Sequence, residues 1–130
     1  MNDRTLLELA ARAAGIKARW FKVNQWRQVG GNRMQTGQDD VFGTHHRKPW
    51  NPLTDDGDAL RLAVKLGLTV DIDLDESWTE IDYTADYQDK EIREGHGGGT
   101  DPYGATRLAI VRAAAEIGKS MTQPGATSSP

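Results

Sequence analysis

The chain has 130 residues, a formal net charge of −3 and no cysteine. This length fits one domain, and the missing cysteines exclude disulfides, thiolate nucleophiles and cysteine-based zinc sites. The acidic balance argues against a chain that binds nucleic acid mainly through nonspecific charge. We expect a single domain over residues 1–121 and a disordered tail over residues 122–130, which are mostly small and polar.

No apolar run approaches the roughly 20 residues of a membrane helix, and the first residues lack the apolar stretch of a signal peptide. These absences predict a soluble, cytoplasmic protein that does not bind a membrane. Charge is nevertheless uneven along the chain. Residues 17–48 include seven Lys or Arg and two acids, whereas residues 71–89 include eight acids and no Lys or Arg.

In chain order, the first helix is predicted to begin near Thr5, because Thr5 and Glu8 have the spacing of a capping box, and to end at Gly15. Bulky residues over 17–23 predict a strand. Residues 25–29 can pair back on that strand around a turn at Asn24. The stretch from Asn24 to Pro49 as a whole contains several glycines and little periodicity, which favours mostly loop.

Acidic residues followed by a helical apolar pattern predict the second helix over residues 55–66. Strict alternation over residues 68–74 predicts a strand, and alternation over residues 79–85 predicts its antiparallel partner after a short turn. Asp101-Pro102 is typical of a helix start, so a third helix is predicted from Pro102 to about residue 117. The fold class is therefore α+β, with a small, mainly antiparallel sheet sandwiched by three helices in the order α-β-(β)-α-β-β-α.

The first candidate site is the basic region that also carries three of the four tryptophans. Aromatic faces can stack on bases while guanidinium groups bind phosphates, so this composition can form a pocket for a nucleotide or a short single strand. The alternative is that the tryptophans are core anchors surrounded by ordinary surface charge. The predicted ligand contacts are Trp20, Trp26, Arg27, Arg33, Arg47, Lys48 and Trp50.

The second candidate is the acidic hairpin, residues 71–89. Its Asp-x-Asp-x-Asp start resembles a calcium loop, but Glu76 stands where that loop needs glycine and Asp82 where it needs glutamate. A solvated strand face that discourages edge-to-edge association explains the acids as well. Exposed carboxylates on an open sheet seldom provide the separated pKa values of an acid and base pair, so we expect no catalysis there.

Residues 95–100 are rich in glycine and precede the third helix, which could favour phosphate binding, although Asp101 would place a carboxylate where the anion should lie. A flexible linker is the other interpretation. His45, His46 and His96 have no metal-ligand spacing, and no serine has a nucleophile-elbow setting. The sequence therefore predicts no metal site, no cofactor and no catalytic constellation.

Two segments resemble a known family. The run WNPLTDDGDALRLAV, from Trp50 to Val64, and the run ATRLAIVRAAAEIG, from Ala105 to Gly118, are similar to small phage and prophage proteins described as a phage ABA sandwich domain. The resemblance covers about half the chain and implies a sheet flanked by helices and a phage origin. It implies no activity.

These observations lead to two hypotheses. In the first, a phage-encoded accessory protein counters host defence by binding and sequestering a small nucleotide-type signal in the cytoplasm of the infected bacterium. In the second, the acidic hairpin imitates nucleic-acid charge and inhibits a basic host protein. A homodimer or a higher homo-oligomer is also predicted, because four tryptophans and a thin sheet in a small domain leave apolar surface to cover.

Overall fold

The computed structural model describes residues 1–97 and 101–121. The chain divides into two compact units. The first, here called the helical unit, consists of Met1–Ile16 and the chain from Asn51 onward, and the second, the ribbon unit, is Lys17–Trp50. The residues 122–130 that were predicted to be a disordered tail lie outside the described residues.

Within this described part of the chain, three helices and two three-stranded antiparallel sheets confirm the predicted α+β class, and the predicted element order roughly matches. The prediction of one sheet missed the division of the strands into two. The elements are α1 (Asp3–Ala14), β1 (Arg19–Val29), β2 (Asn32–Thr44), a 3-10 turn (His45–Arg47), β3 (Lys48–Pro49), α2 (Asp56–Leu66), β4 (Thr69–Asp73), β5 (Trp78–Ala85), β6 (Gln88–Gly95) and α3 (Pro102–Ser120).

Local capping signals explain the ends of the helices. The side chain of Asn2 accepts a hydrogen bond from the backbone N–H of Thr5 at 2.8 Å, so α1 begins two residues before the predicted Thr5. Gly15 ends α1 in the left-handed conformation, as predicted, and Gly67 ends α2 in the same way. The carboxylate of Asp101 caps α3, which has Pro102 as its first residue.

The core of the helical unit forms where α3 packs against α1 and against the sheet of β4, β5 and β6. On β5, Thr79, Ile81, Tyr83 and Ala85 are buried while the alternate residues face away from α3. A Cβ added at Gly118 of α3 would overlap the backbone carbonyl of Leu9 in α1. The glycine therefore permits the close approach of these two helices. In the described part of the chain, no helix is both long and apolar enough to cross a membrane.

The ribbon unit is built on the antiparallel pair of β1 and β2, with β3 adding two paired residues beside β2. Gly30 and Gly31 form the turn, and both have positive φ, as the favoured two-residue hairpin turns require. Gln25 pairs with Gly37 and Trp26 with Gln35, so Thr36 is an extra residue in a β-bulge.

The predicted turn at Asn24 and the predicted loop over residues 24–49 are therefore wrong. β1 continues through Asn24 to Val29, and β2 occupies half of the predicted loop. Every residue over 22–36 is exposed, so neither face of the ribbon selects apolar side chains there. Without a buried face the alternation that identifies a strand in sequence is absent.

Candidate functional site

An aromatic cluster lies at the end of the ribbon away from its turn. The ring centroids of Trp20 and Phe42 are 4.8 Å apart, and those of Phe42 and Trp50 are 6.0 Å apart in an edge-to-face arrangement. The backbone N–H of Trp50 also donates to the carbonyl of Phe42 at 2.9 Å. Trp50 is only 7% exposed, so this cluster leaves little aromatic surface for a ligand at Trp50.

Trp26 has a different setting near the Gly30-Gly31 turn. Its side chain is 48% exposed, and the guanidinium carbon of Arg33 lies 5.2 Å from the centroid of its ring. Gln28 pairs with Arg33 across the ribbon, and residues 26 and 28 of one strand share a face. The strand pairing therefore brings an exposed aromatic ring and a cation together on one surface.

The other predicted contacts are distributed over the ribbon unit. Arg27 pairs with Met34 on the face opposite Trp26. Arg47 lies 4.9 Å from the centroid of Phe21 and donates to the carbonyl of Lys22 at 2.7 Å. Lys48 is exposed and pairs with Thr44.

The seven predicted contacts do not form one cluster. Trp20 and Trp26 are six residues apart on one strand, which corresponds to about 20 Å. The structure brings Trp26 and Arg33 together at one end of the ribbon, and Trp20 and Trp50 together through Phe42 at the other. Their role in binding stays a prediction.

A polar row, which sequence reasoning missed, separates these two groups. The side-chain carbonyl of Asn24 accepts hydrogen bonds from the amide groups of Gln35 at 3.1 Å and Gln38 at 2.8 Å. Closer to the aromatic cluster, Lys22 forms an ion pair with Asp40 at 2.7 Å. These contacts lie on the same face as Trp26 and cross-link the strands, which limits how far the exposed end can open.

The acidic hairpin forms a second candidate surface, here called the acidic face. Asp71 pairs with Glu80, and Asp82 pairs with Glu91, so their side chains share the side of the sheet opposite α3. The same register adds Asp73, beside Trp78, and Asp89, beside Thr84. The acids of β4 and β5 share this face, and β6 extends it with Asp89, the last acid of the predicted hairpin, and with Glu91, which the sequence analysis did not include.

Arg93 lies among these carboxylates. Its guanidinium carbon is 4.0 Å from the centroid of the Trp78 ring, and its nitrogen is 2.8 Å from a carboxylate oxygen of Glu80. The hydrogen bond from Arg93 lowers the pKa of Glu80 below its ordinary value. Arg93 thus neutralises part of the acidic face.

Two other carboxylates of the acidic face, Asp82 and Glu91, lie beside like charges. Lost hydration, followed by the nearby Glu80 and Asp71, raises the pKa of Asp82. The pKa of Glu91 is also raised, principally by its hydrogen bond to Glu80. Among the described residues no group of three or more His, Asp or Glu has an arrangement that could hold a metal ion. A basic group from a partner would relieve the repulsion among the carboxylates of the acidic face.

Sequence reasoning also missed the role of His96, which is 2% exposed. Its Nε2 lies 2.7 Å from the hydroxyl of Thr79, which lies 2.8 Å from the hydroxyl of Thr106. A lone histidine beside a glycine-rich stretch gave no signal of this buried network. Residues 98–100 of that stretch, and with them half of the predicted linker, lie outside the described residues.

Comparison of the chain with family models, curated proteins and solved structures found no match. The resemblance to phage ABA sandwich proteins therefore stays a prediction. The functional argument depends on the two surfaces themselves.

Proposed function

We propose that the chain is a phage-encoded accessory protein that binds and sequesters a nucleotide-type signal of host defence in the cytoplasm of the infected bacterium. The observation that carries the proposal is the placement of the Arg33 guanidinium over the half-exposed ring of Trp26. The exposed part of the Trp26 ring stacks on a base, and Arg33 binds a phosphate.

Two features of the ribbon unit support this assignment. Residues 26–35 include two arginines and no acid, so an anion meets little repulsion there. The bonds from Gln35 and Gln38 to Asn24 hold the strands in register below Trp26. Preorganisation of this kind reduces the entropy lost on binding.

The other predicted contacts take supporting roles in this proposal. Trp20 and Trp50 pack against Phe42 and stabilise the end of the ribbon away from its turn. Arg47 covers Phe21. Arg27, on the opposite face, and the exposed Lys48 add positive charge that attracts an anion over a longer range. No step requires a catalytic group, because sequestration needs only binding.

A second candidate function uses the acidic face to bind and inhibit a basic host protein. The observation that favours it is the strand register, which places Asp71 beside Glu80 and Asp82 beside Glu91 on one face, where a basic partner would compensate the like charges. Charge substitution separates the two functions. Asp71→Asn with Asp82→Asn should weaken only the protein interaction, and Arg27→Ala with Arg33→Ala should weaken only nucleotide binding.

The test of the leading proposal is a thermal-shift panel of cyclic dinucleotides, cyclic oligonucleotides, NAD-derived signals and ordinary nucleotides. A ligand at about 100 times its Kd should stabilise the protein by about 2.7 kcal/mol. Mass spectrometry of the recovered compound then shows whether it is unchanged, as sequestration requires. An altered compound would indicate an enzyme and contradict the proposal.

Trp26→Ala should weaken binding of the same compound by about 1–3 kcal/mol, the usual contribution of stacking on one base. The matched control is Lys65→Ala, which removes an exposed positive charge from α2. The control should bind as the wild type does. If no compound in the panel shifts the unfolding temperature, or if both variants bind equally well, the proposed site is wrong.

A further inference from the structure

The structure points to a docking site for a partner strand at the free edge of β4. We propose that an extended segment of another protein, with alternating apolar and basic side chains, adds to β4 as a fourth strand. The surface differs from the exposed end of the ribbon, so this inference goes beyond the proposed nucleotide binding. The docking site shares Asp71 and Asp73 with the acidic face. The peptides and variants of the experiment therefore distinguish strand addition from attraction by charge alone.

The edge itself is the first observation. The sheet order is β4-β5-β6, so β4 pairs only with β5 among the described residues. Natural edge strands are commonly protected by charged side chains, proline or a bulge. β4 has the sequence TVDID and pairs with β5 in a regular register, without proline or a bulge, and its two aspartates repel an acidic strand but attract a basic one. Its outer backbone groups can therefore accept another strand.

An apolar groove runs beside this edge. Val70 and Ile72 lie on one face of β4 and are 37% and 50% exposed, and Leu74, directly after the strand, is 68% exposed. Together with residues of α2 and α3, they line a groove of about 530 Å³ that includes the exposed side chains of Leu60 and Tyr103. An added strand would place every second side chain in this groove. Those side chains should be apolar.

The opposite face of β4 determines which side chains of an added strand should be basic. Asp71 and Asp73 lie there, next to Glu80 and close to Asp82. The remaining side chains of an added strand would face these carboxylates. Lysine or arginine at those positions complements the charge and relieves the repulsion described above.

A second copy of this chain is a poorer occupant. If two β4 strands paired antiparallel with both grooves on the same side, Asp71 and Asp73 would lie opposite acids of the other copy. Like charges directly opposite each other across a strand pair are destabilising. The charge pattern therefore favours a basic partner over self-pairing.

The experiment uses fluorescence anisotropy of a labelled peptide in which lysine and isoleucine alternate. A matched peptide carries N-methyl groups along one edge, which removes its backbone donors and keeps its side chains and charge. The wild-type protein should bind the first peptide at least tenfold more tightly than the second. Asp71→Asn and Ile72→Ser should each weaken binding of the first peptide about tenfold, whereas Trp26→Ala should leave it unchanged.

Two results would overturn the inference. The first is absence of binding by the alternating peptide. The second is equal binding of the N-methylated peptide with no effect of Ile72→Ser, which would show that charge alone attracts the peptide and would leave the acidic-face candidate standing. Because nucleotide binding is measured separately through Trp26, failure here does not affect the leading proposal.

Discussion

At the scale of single residues, the hydroxyl of Thr79 is the centre of a buried polar network in the helical unit. It joins the buried ring of His96 to Thr106 and is itself fully buried. A buried polar group that loses its partner costs about 1–3 kcal/mol. This network links β5 to α3 and to the end of β6.

Thr79→Val should therefore lower the free energy of unfolding by about 1–3 kcal/mol, because it keeps the shape of the side chain and removes the partner of His96. The control is Thr84→Val, on the exposed side of the same strand, which should change stability by less than about 0.5 kcal/mol. Denaturant unfolding measures both. Equal effects would show that the buried network does not contribute to stability.

The acidic face makes stability depend on pH in a predictable direction. The raised pKa of Asp82 means that its ionised form is disfavoured in the folded protein, so a penalty develops as the pH rises above the ordinary value of 3.8. Asp82→Asn should raise the unfolding temperature at pH 7 and lose this advantage near pH 3. Thermal unfolding at both pH values measures the change.

Glu80 makes stability depend on pH in the opposite direction. Its pKa is lowered by Arg93, so its ionised form stabilises the fold above the ordinary pKa of 4.5, and that contribution is lost as the pH falls through the folded value. Glu80→Gln should therefore lower the unfolding temperature at pH 7 and have little effect near pH 3. Shifts of the same sign for the two variants would contradict the assigned charge interactions.

At the scale of elements, the sequence predicted features that depend on local signals. Gly15 and Gly67 end α1 and α2 because glycine readily adopts the left-handed conformation that follows a helix. The alternation over residues 68–74 identifies β4. The missed strands, β2 and β6, lack such signals. Most of their residues are exposed on both faces, so their pairing depends on contacts distant in sequence.

The same reasoning explains the candidate sites. Composition identified Trp26 and Arg33, but their contact depends on the register and bulge of the ribbon. Counting acids identified the hairpin, but the addition of Glu91 and the central position of Arg93 require β6. Local sequence patterns do not contain this information, because strand register is set by pairing across the sheet.

The contact between α1 and α3 provides a test at this scale. Gly118→Ala should destabilise the protein by about 1–3 kcal/mol, because the added methyl group would overlap the rigid backbone of Leu9. In the control Gly57→Ala, the methyl group would meet only side chains of Arg61 and Asp55, so no comparable loss is expected. Thermal unfolding of both variants shows whether the stability of the protein depends on the close approach of α1 and α3.

At the scale of the whole molecule, self-association stays a prediction. The exposed Val23, Val29 and Met34 lie on one face of the ribbon and provide apolar surface for it. Sedimentation velocity over a concentration series should show a dimer or larger species for the wild type and a monomer for Val29→Ser with Met34→Ser. A monomeric wild type at all concentrations would refute the prediction.

The central claim is that a nucleotide-type ligand binds at the exposed end of the ribbon through Trp26 and Arg33, and tryptophan fluorescence tests it most directly. Titration with each compound of the panel should quench the wild type for at least one of them, because a stacked base contacts the indole ring. Trp26→Phe should remove that quenching, and Arg33→Ala should shift the titration to higher concentration. Quenching that persists in Trp26→Phe, or no quenching by any compound, would contradict the claim.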